Sequence, residues 1–77
     1  MIFLTVFEDM LKPSNSPRRF VAKRYRDNNQ TDWTLANNPN ARKVFTVNGE
    51  DSSVVTAEAK QKARDEAIFW VENLDEV

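Results

Sequence analysis

Five cationic side chains, Arg18, Arg19, Lys23, Arg24 and Arg26, lie within one nine-residue stretch and are interleaved with Phe20 and Tyr25. Cations beside flat rings suit a surface that neutralises phosphates and stacks bases, and Arg42 with Lys43 adds a smaller second cluster. The competing reading is an edge strand whose charges discourage strand addition. A second chemistry lies in the carboxylates Glu50, Asp51, Glu58, Asp65, Glu66, Glu72, Asp75 and Glu76. Negative charge of this kind steers a chain toward a basic groove on another protein, although a solvated helix face has the same composition. The third feature is the adjacent pair Ile68 and Phe69, which needs a covering surface. That cover is the chain's own N-terminal strand or long loop, a second copy, or another protein. Together with Asp65 and Glu72 the pair forms the candidate partner-binding set.

Catalysis lacks its usual parts. The chain has no His and no Cys, so the commonest general base, the thiolate nucleophile and the soft-metal ligands are missing. Ser14, Ser16, Ser52 and Ser53 have no imidazole to activate them, and the single glycine, Gly49, rules out a glycine-rich phosphate loop. The carboxylates show no alternating spacing with a turn glycine of the kind that holds calcium. The expectation is a binding protein without metal or cofactor.

The elements that must position these residues follow from periodicity. Thr56 to Leu74 reads as a helix, because Ala59, Ala63, Ala67, Trp70, Val71 and Leu74 fall on one stripe while Gln61, Asp65 and Glu72 fall opposite. Thr56 is the expected N-cap, and with no glycine to stop it the helix frays into Asn73 to Val77. Ile68 and Phe69 lie off that stripe. Upstream, Ile2 to Phe7 is apolar on both alternating faces and reads as a strand that is central or covered twice. A helix over Phe3 to Leu11 competes, since Phe3, Phe7 and Leu11 are four apart.

Glu8 to Pro17 carries Pro13 and Pro17 and reads as a long loop. Arg18 to Arg26 alternates as a strand with neither face clean, so an edge is expected. Asp27 to Asp32 reads as a turn, Trp33 to Ala36 as a short strand, and Asn37 to Ala41 as a turn. Arg42 to Asn48 reads as a strand with Phe45 and Val47 toward the core. Asn48-Gly49 is a hairpin signal, followed by at most a short return strand over Ser52 to Val55.

Seventy-seven residues predict one domain spanning 1–77, of α+β class, with a small antiparallel sheet of three to four strands covered on one face by the C-terminal helix (56–74). Its element order is similar to that of the arm-type DNA-binding domains of integrases. With a helical N-terminus it is similar to the double-stranded RNA-binding domain, whose final helix Ala57, Ala59, Lys60 and Ala63 loosely resemble. The glycine and lysine landmarks of that family are missing.

Net charge is -1, but eight basic residues face two acidic ones between Lys12 and Lys43, and three face eight from Val44 onward. Met1 to Phe7 lacks a basic leader and is too short to span a membrane, which predicts a cytoplasmic protein with no membrane partner. In size, two-sided charge and missing catalytic groups the chain is similar to small accessory proteins of phages and mobile elements that inhibit a host protein or nucleoprotein complex. The expected function is such a protein-binding inhibitor or adaptor using Ile68, Phe69, Asp65 and Glu72, with a homodimer contact as another use of the same residues. The alternative is a nucleic-acid-binding module using strand 18–26 with Arg42 and Lys43.

Overall fold

The computed structural model describes residues 1–16, 18–26 and 39–76, the stretch 71–76 through its backbone. In chain order the elements are β1 (Ile2–Asp9), β2 (Phe20–Tyr25), β3 (Ala41–Gly49), α1 (Ser52–Asp65) and β4 (Trp70–Glu76). The four strands form one sheet in the order β3-β1-β2-β4. Strand β1 is antiparallel to both β2 and β3, and β4 runs parallel to β2. Since β2 and β3 both oppose β1, β3 and β4 point the same way from opposite edges. The connection between them has to cross the sheet, and α1 is that crossover. The class is α+β, with α1 packed on the antiparallel trio β2-β1-β3 through β1 and β3.

Strand β1 is central because both of its faces are apolar enough to bury. Leu4 and Val6 face the helix, Thr5 and Phe7 the other side, and all four are buried. The competing helix over 3–11 is thereby set aside. On β2 the alternation is as expected, Ala22 toward the helix and Tyr25 away from it, both buried. Its position is not: β2 lies between β1 and β4, not at an edge. One of its cations is tied to the helix side, the Arg24 Nη1 donating to Ser52 Oγ at 2.5 Å.

On β3 the register shifts opposite Val6 and Phe7, which leaves Val44 without a cross-strand partner on β1. Val44, Phe45 and Val47 all pack on the helix-side core of Leu4, Val6, Ala22, Val55, Ala59 and Ala63. The expected strand at 33–36 and the turn at 27–32 lie outside the described residues.

The helix begins and ends earlier than its stripe suggests. Asp51, not Thr56, is the N-cap, and its carboxylate accepts from Ser53 N at 2.8 Å, Ser53 Oγ at 2.7 Å and Val54 N at 3.4 Å. These bonds hold the Asp51 carboxyl below its ordinary range, the Ser53 hydroxyl contributing most. Residues 52–55 therefore open the helix and no return strand forms. Gly49 closes β3 rather than turning a hairpin, and a Cβ there would stand 3.0 Å from Val55 Cγ2. Its lack of a side chain lets the first turn of α1 approach the sheet.

At the other end, Ala67 N donates to Arg64 O at 3.1 Å and Ile68 N to Ala63 O at 2.8 Å. This is the Schellman pattern, with Ala67 in the left-handed conformation at φ 55° where glycine is usual. The chain leaves the helix there, so Trp70, Val71 and Leu74 belong to β4 and not to the helical stripe.

An exposed alanine held in that conformation costs about 1 to 2 kcal/mol that glycine avoids, partly offset by the greater freedom of glycine in the unfolded chain. Ala67→Gly is therefore expected to raise stability by about 0.5 to 1 kcal/mol. An unchanged or lowered denaturant midpoint would show that the turn carries no such strain.

Candidate functional site

The Schellman turn decides how Ile68 and Phe69 are presented. Ile68 folds back toward Ala63 and packs on the helix-side core, as the residue after such a turn commonly does. Phe69 points the other way and is 69% exposed. The ring stands between two clefts. One, of about 330 Å³, is lined by Ser14, Asn15 and Ser16 of the loop after β1, with Phe20 and Ala67. The other, of about 440 Å³, is lined by Lys60, Ala63, Arg64, Ile68 and Trp70. The floor of the second is firm: the Trp70 ring lies 6.5 Å from that of Phe45, tilted by 58°, across a sheet in which Ala22 leaves room between them.

The loop beside Phe69 is pinned by a buried acid. Glu8, only 6% exposed, accepts from Arg19 Nε through Oε2 and from Arg42 Nε through Oε1, both at 2.7 Å. The Arg19 hydrogen bond holds this carboxyl below the usual glutamate range; burial opposes that and the Arg42 bond reinforces it. Arg19 also donates through Nη1 to Lys12 O at 2.6 Å, and Asp9 N donates to Arg19 O at 2.6 Å, closing the base of the loop. A third tie runs from Met10 N to Asn40 O at 3.1 Å.

Of the candidate partner-binding residues, the turn sets Ile68 and Phe69 side by side, while Asp65 lies on the outer side of the helix end and lines neither cleft. Asp65 is exposed, and its Oδ1 accepts from Gln61 Nε2 at 2.9 Å. Glu72 lies on β4, paired in register with Ala22, and its side chain is outside the described residues. Lys60, Arg64 and Trp70 were not among the site candidates expected from sequence, Trp70 having been placed on the buried stripe of the helix. The signal for the two cations was there: each follows a buried alanine of the stripe by one residue, which sets it on the border of the buried face.

The candidate nucleic-acid residues are spread over several surfaces. Arg19 and Arg42 are engaged by Glu8, and Arg24 reaches Ser52 on the helix side. Lys23 and Lys43 lie on the face away from the helix, paired in register with Thr5 and Phe7. Arg18 and Arg26 are exposed at the two ends of the segment. Tyr25 is buried, and its hydroxyl has no hydrogen-bond partner among the described residues. Burial pushes that phenol up to about 12, and its ring is not available for stacking on a base.

Among the described residues no group of three or more acidic side chains stands close enough to hold a metal ion, and no helix is long and apolar enough to cross a membrane. Comparison of the chain with protein-family models, curated proteins and solved structures gives no match.

Proposed function

We propose that this chain is a small non-catalytic binding protein, an inhibitor or adaptor that docks on another protein through the surface around Phe69. The observation that supports this reading most is the exposed Phe69 ring, held out by a turn that is itself conformationally costly, with a cleft of mixed lining beside it. A single exposed aromatic is common on small domains. An aromatic that projects from a pinned turn, next to room for a partner side chain, has the layout of an interface anchor. The nucleic-acid reading draws less support, since Tyr25 is buried and two of the arginines are engaged by Glu8.

Phe69→Ala tests it. Because the ring is exposed, the unfolding midpoint should stay close to that of the wild type. Retention of partner proteins from the source cell should fall about tenfold to a hundredfold, the loss expected from truncating a central aromatic anchor. Partners retained equally by both proteins would overturn the reading. Sedimentation of the same pair shows whether the partner is a second copy. Retention on heparin with a steep salt dependence would favour the nucleic-acid alternative.

A further inference from the structure

We infer that the outer edge of β3 is a self-association surface, on which a second copy of this chain pairs antiparallel about a two-fold axis at Thr46 and continues the sheet. In the order β3-β1-β2-β4, β3 ends the sheet, and among the described residues no strand pairs with its outer side. The direction of its outward backbone groups follows from β1. Asp9 N bonds to Arg19 O on the side of β2, whereas Met10 N bonds to Asn40 O on the side of β3. The odd-numbered residues of β1 therefore bond toward β2 and the even-numbered ones toward β3. Thr46 lies opposite Thr5 and Asn48 opposite Phe3, so the N–H and C=O of Thr46 and of Asn48 point outward. The 2.9 Å contact between Thr5 Oγ1 and Thr46 Oγ1 agrees, since side chains stand closer in such a pair.

The two halves of this edge are built differently. The first carries Arg42, Lys43 and the register shift at Val44, devices that discourage strand addition. From Phe45 to Gly49 there is no charge, no proline and no bulge. With the axis at Thr46, each Thr46 exchanges backbone bonds with its symmetry mate. Asn48 then meets Val44, the residue that has no cross-strand partner on β1.

The flank of α1 above the edge selects a second copy over an unrelated strand. The helix packs on β1 and β3, and Lys62 Nζ stands 5.2 Å from the centre of the Phe45 ring. Val54, Glu58 and Lys62 are four residues apart and form one row on that side, whereas Ser52, bonded to Arg24, marks the side of β2. Val54 is 51% exposed, and the exposed Glu58 carboxylate makes no hydrogen bond or ion pair among the described residues. Paired strands lie about 4.8 Å apart, so a helix over the midline of β1 and β3 stands about 10 Å from its two-fold mate, an ordinary packing distance. Val55 approaches Gly49 and Lys62 overlies Phe45, so the part of α1 above Thr46 is midway between Glu58 and Lys62. An axis there sets Glu58 of each copy beside Lys62 of the other. Lys62 keeps its ring contact in this arrangement, and the acid that had no partner gains one. An unrelated strand supplies the backbone pairing but not this reciprocal match.

Phe69 precedes β4 at the opposite edge of the sheet, so the dimer does not rest on the docking reading and leaves both rings accessible.

The test is sedimentation equilibrium of the full chain over a range of concentrations. Asn48→Pro removes an outward N–H that the sheet does not use. Glu58→Lys and Lys62→Glu each set like charges across the axis and leave the edge backbone as it is. All three side chains are exposed, and thermal unfolding verifies that each variant folds.

The wild type is expected to dimerise, and each variant to associate with itself about tenfold or more weakly. An equimolar mixture of Glu58→Lys with Lys62→Glu should form a heterodimer about tenfold tighter than either variant alone, because each acid again faces a cation. Phe69→Ala should dimerise as the wild type does. A wild type that stays monomeric at its highest soluble concentration would overturn the inference. So would a dimer that Asn48→Pro leaves intact, a mixture no tighter than its components, or a dimer lost in Phe69→Ala, which would assign self-association to the opposite edge.

Discussion

Glu8→Ala is expected to lower the stability of the fold by about 1 to 3 kcal/mol, the range for losing charge-assisted hydrogen bonds, because the carboxylate is buried while its arginines reach solvent. The two arginines fare differently. Arg42 is 64% exposed at its side chain and returns to water when its partner is gone, so it adds little. Arg19 is 17% exposed and is tied to the loop through Lys12 O, so its guanidinium is left half-buried without a countercharge. Glu8→Gln separates charge from shape: it keeps the side chain's volume and one acceptor, and should recover part of the loss but not most of it. Urea unfolding of the three proteins reads this directly. A loss below about 1 kcal/mol for Glu8→Ala would place the pair among weak surface bridges.

The same carboxyl carries a pH dependence. Its folded pKa lies below the ordinary glutamate value of about 4.3, because the arginines favour the charged form. The stabilisation is therefore complete above that value and is lost as pH falls through the lower, folded pKa. Wild-type stability should drop on acidification across this window more steeply than that of Glu8→Gln. The loop held by Arg19 carries Ser14 to Ser16 to the side of Phe69, so acid should loosen this wall of the site before the rest of the fold.

Much of the sheet was legible in the sequence because strands announce themselves by a period of two. Ile2 to Phe7 could only be central with apolar side chains on both faces, and Phe45 with Val47 outweighed Lys43 on β3. The helix misled for a physical reason. Ala59, Ala63, Ala67 and Trp70 keep a helical spacing through the turn and into the next strand, and the usual stop signal, glycine, is replaced by Ala67. The β-favouring run Phe69, Trp70 and Val71 was the available sign of β4. Asn48-Gly49 suggested a hairpin, whereas Gly49 serves the approach of Val55 to the sheet. The Glu8 ion pairs could not be read from spacing, because they join residues brought together by the register of three strands. The exposure of Phe69 follows from the handedness of one turn, which no periodicity reports.

Ala59→Leu is expected to destabilise the fold by about 1 to 3 kcal/mol, and by more than the same change at Ala63. Both alanines are in the helix-side core, but their surroundings differ. Ala59 is fully buried in the cluster of Leu4, Val6, Ala22 and Val55, so added methyl groups must displace close-packed neighbours or lift α1 from the sheet. Ala63 is nearly buried but borders the cleft of about 440 Å³ beside Phe69, into which a leucine side chain can turn. The two variants therefore separate stability from function. Ala59→Leu should shift the urea midpoint with an unchanged slope. Ala63→Leu should leave the midpoint closer to that of the wild type while filling the floor on which the partner's anchor rests, and so weaken docking more than it weakens the fold. A larger stability loss at Ala63 than at Ala59 would mean that this end of the helix is packed as tightly as the middle and that the cleft has no room for an anchor.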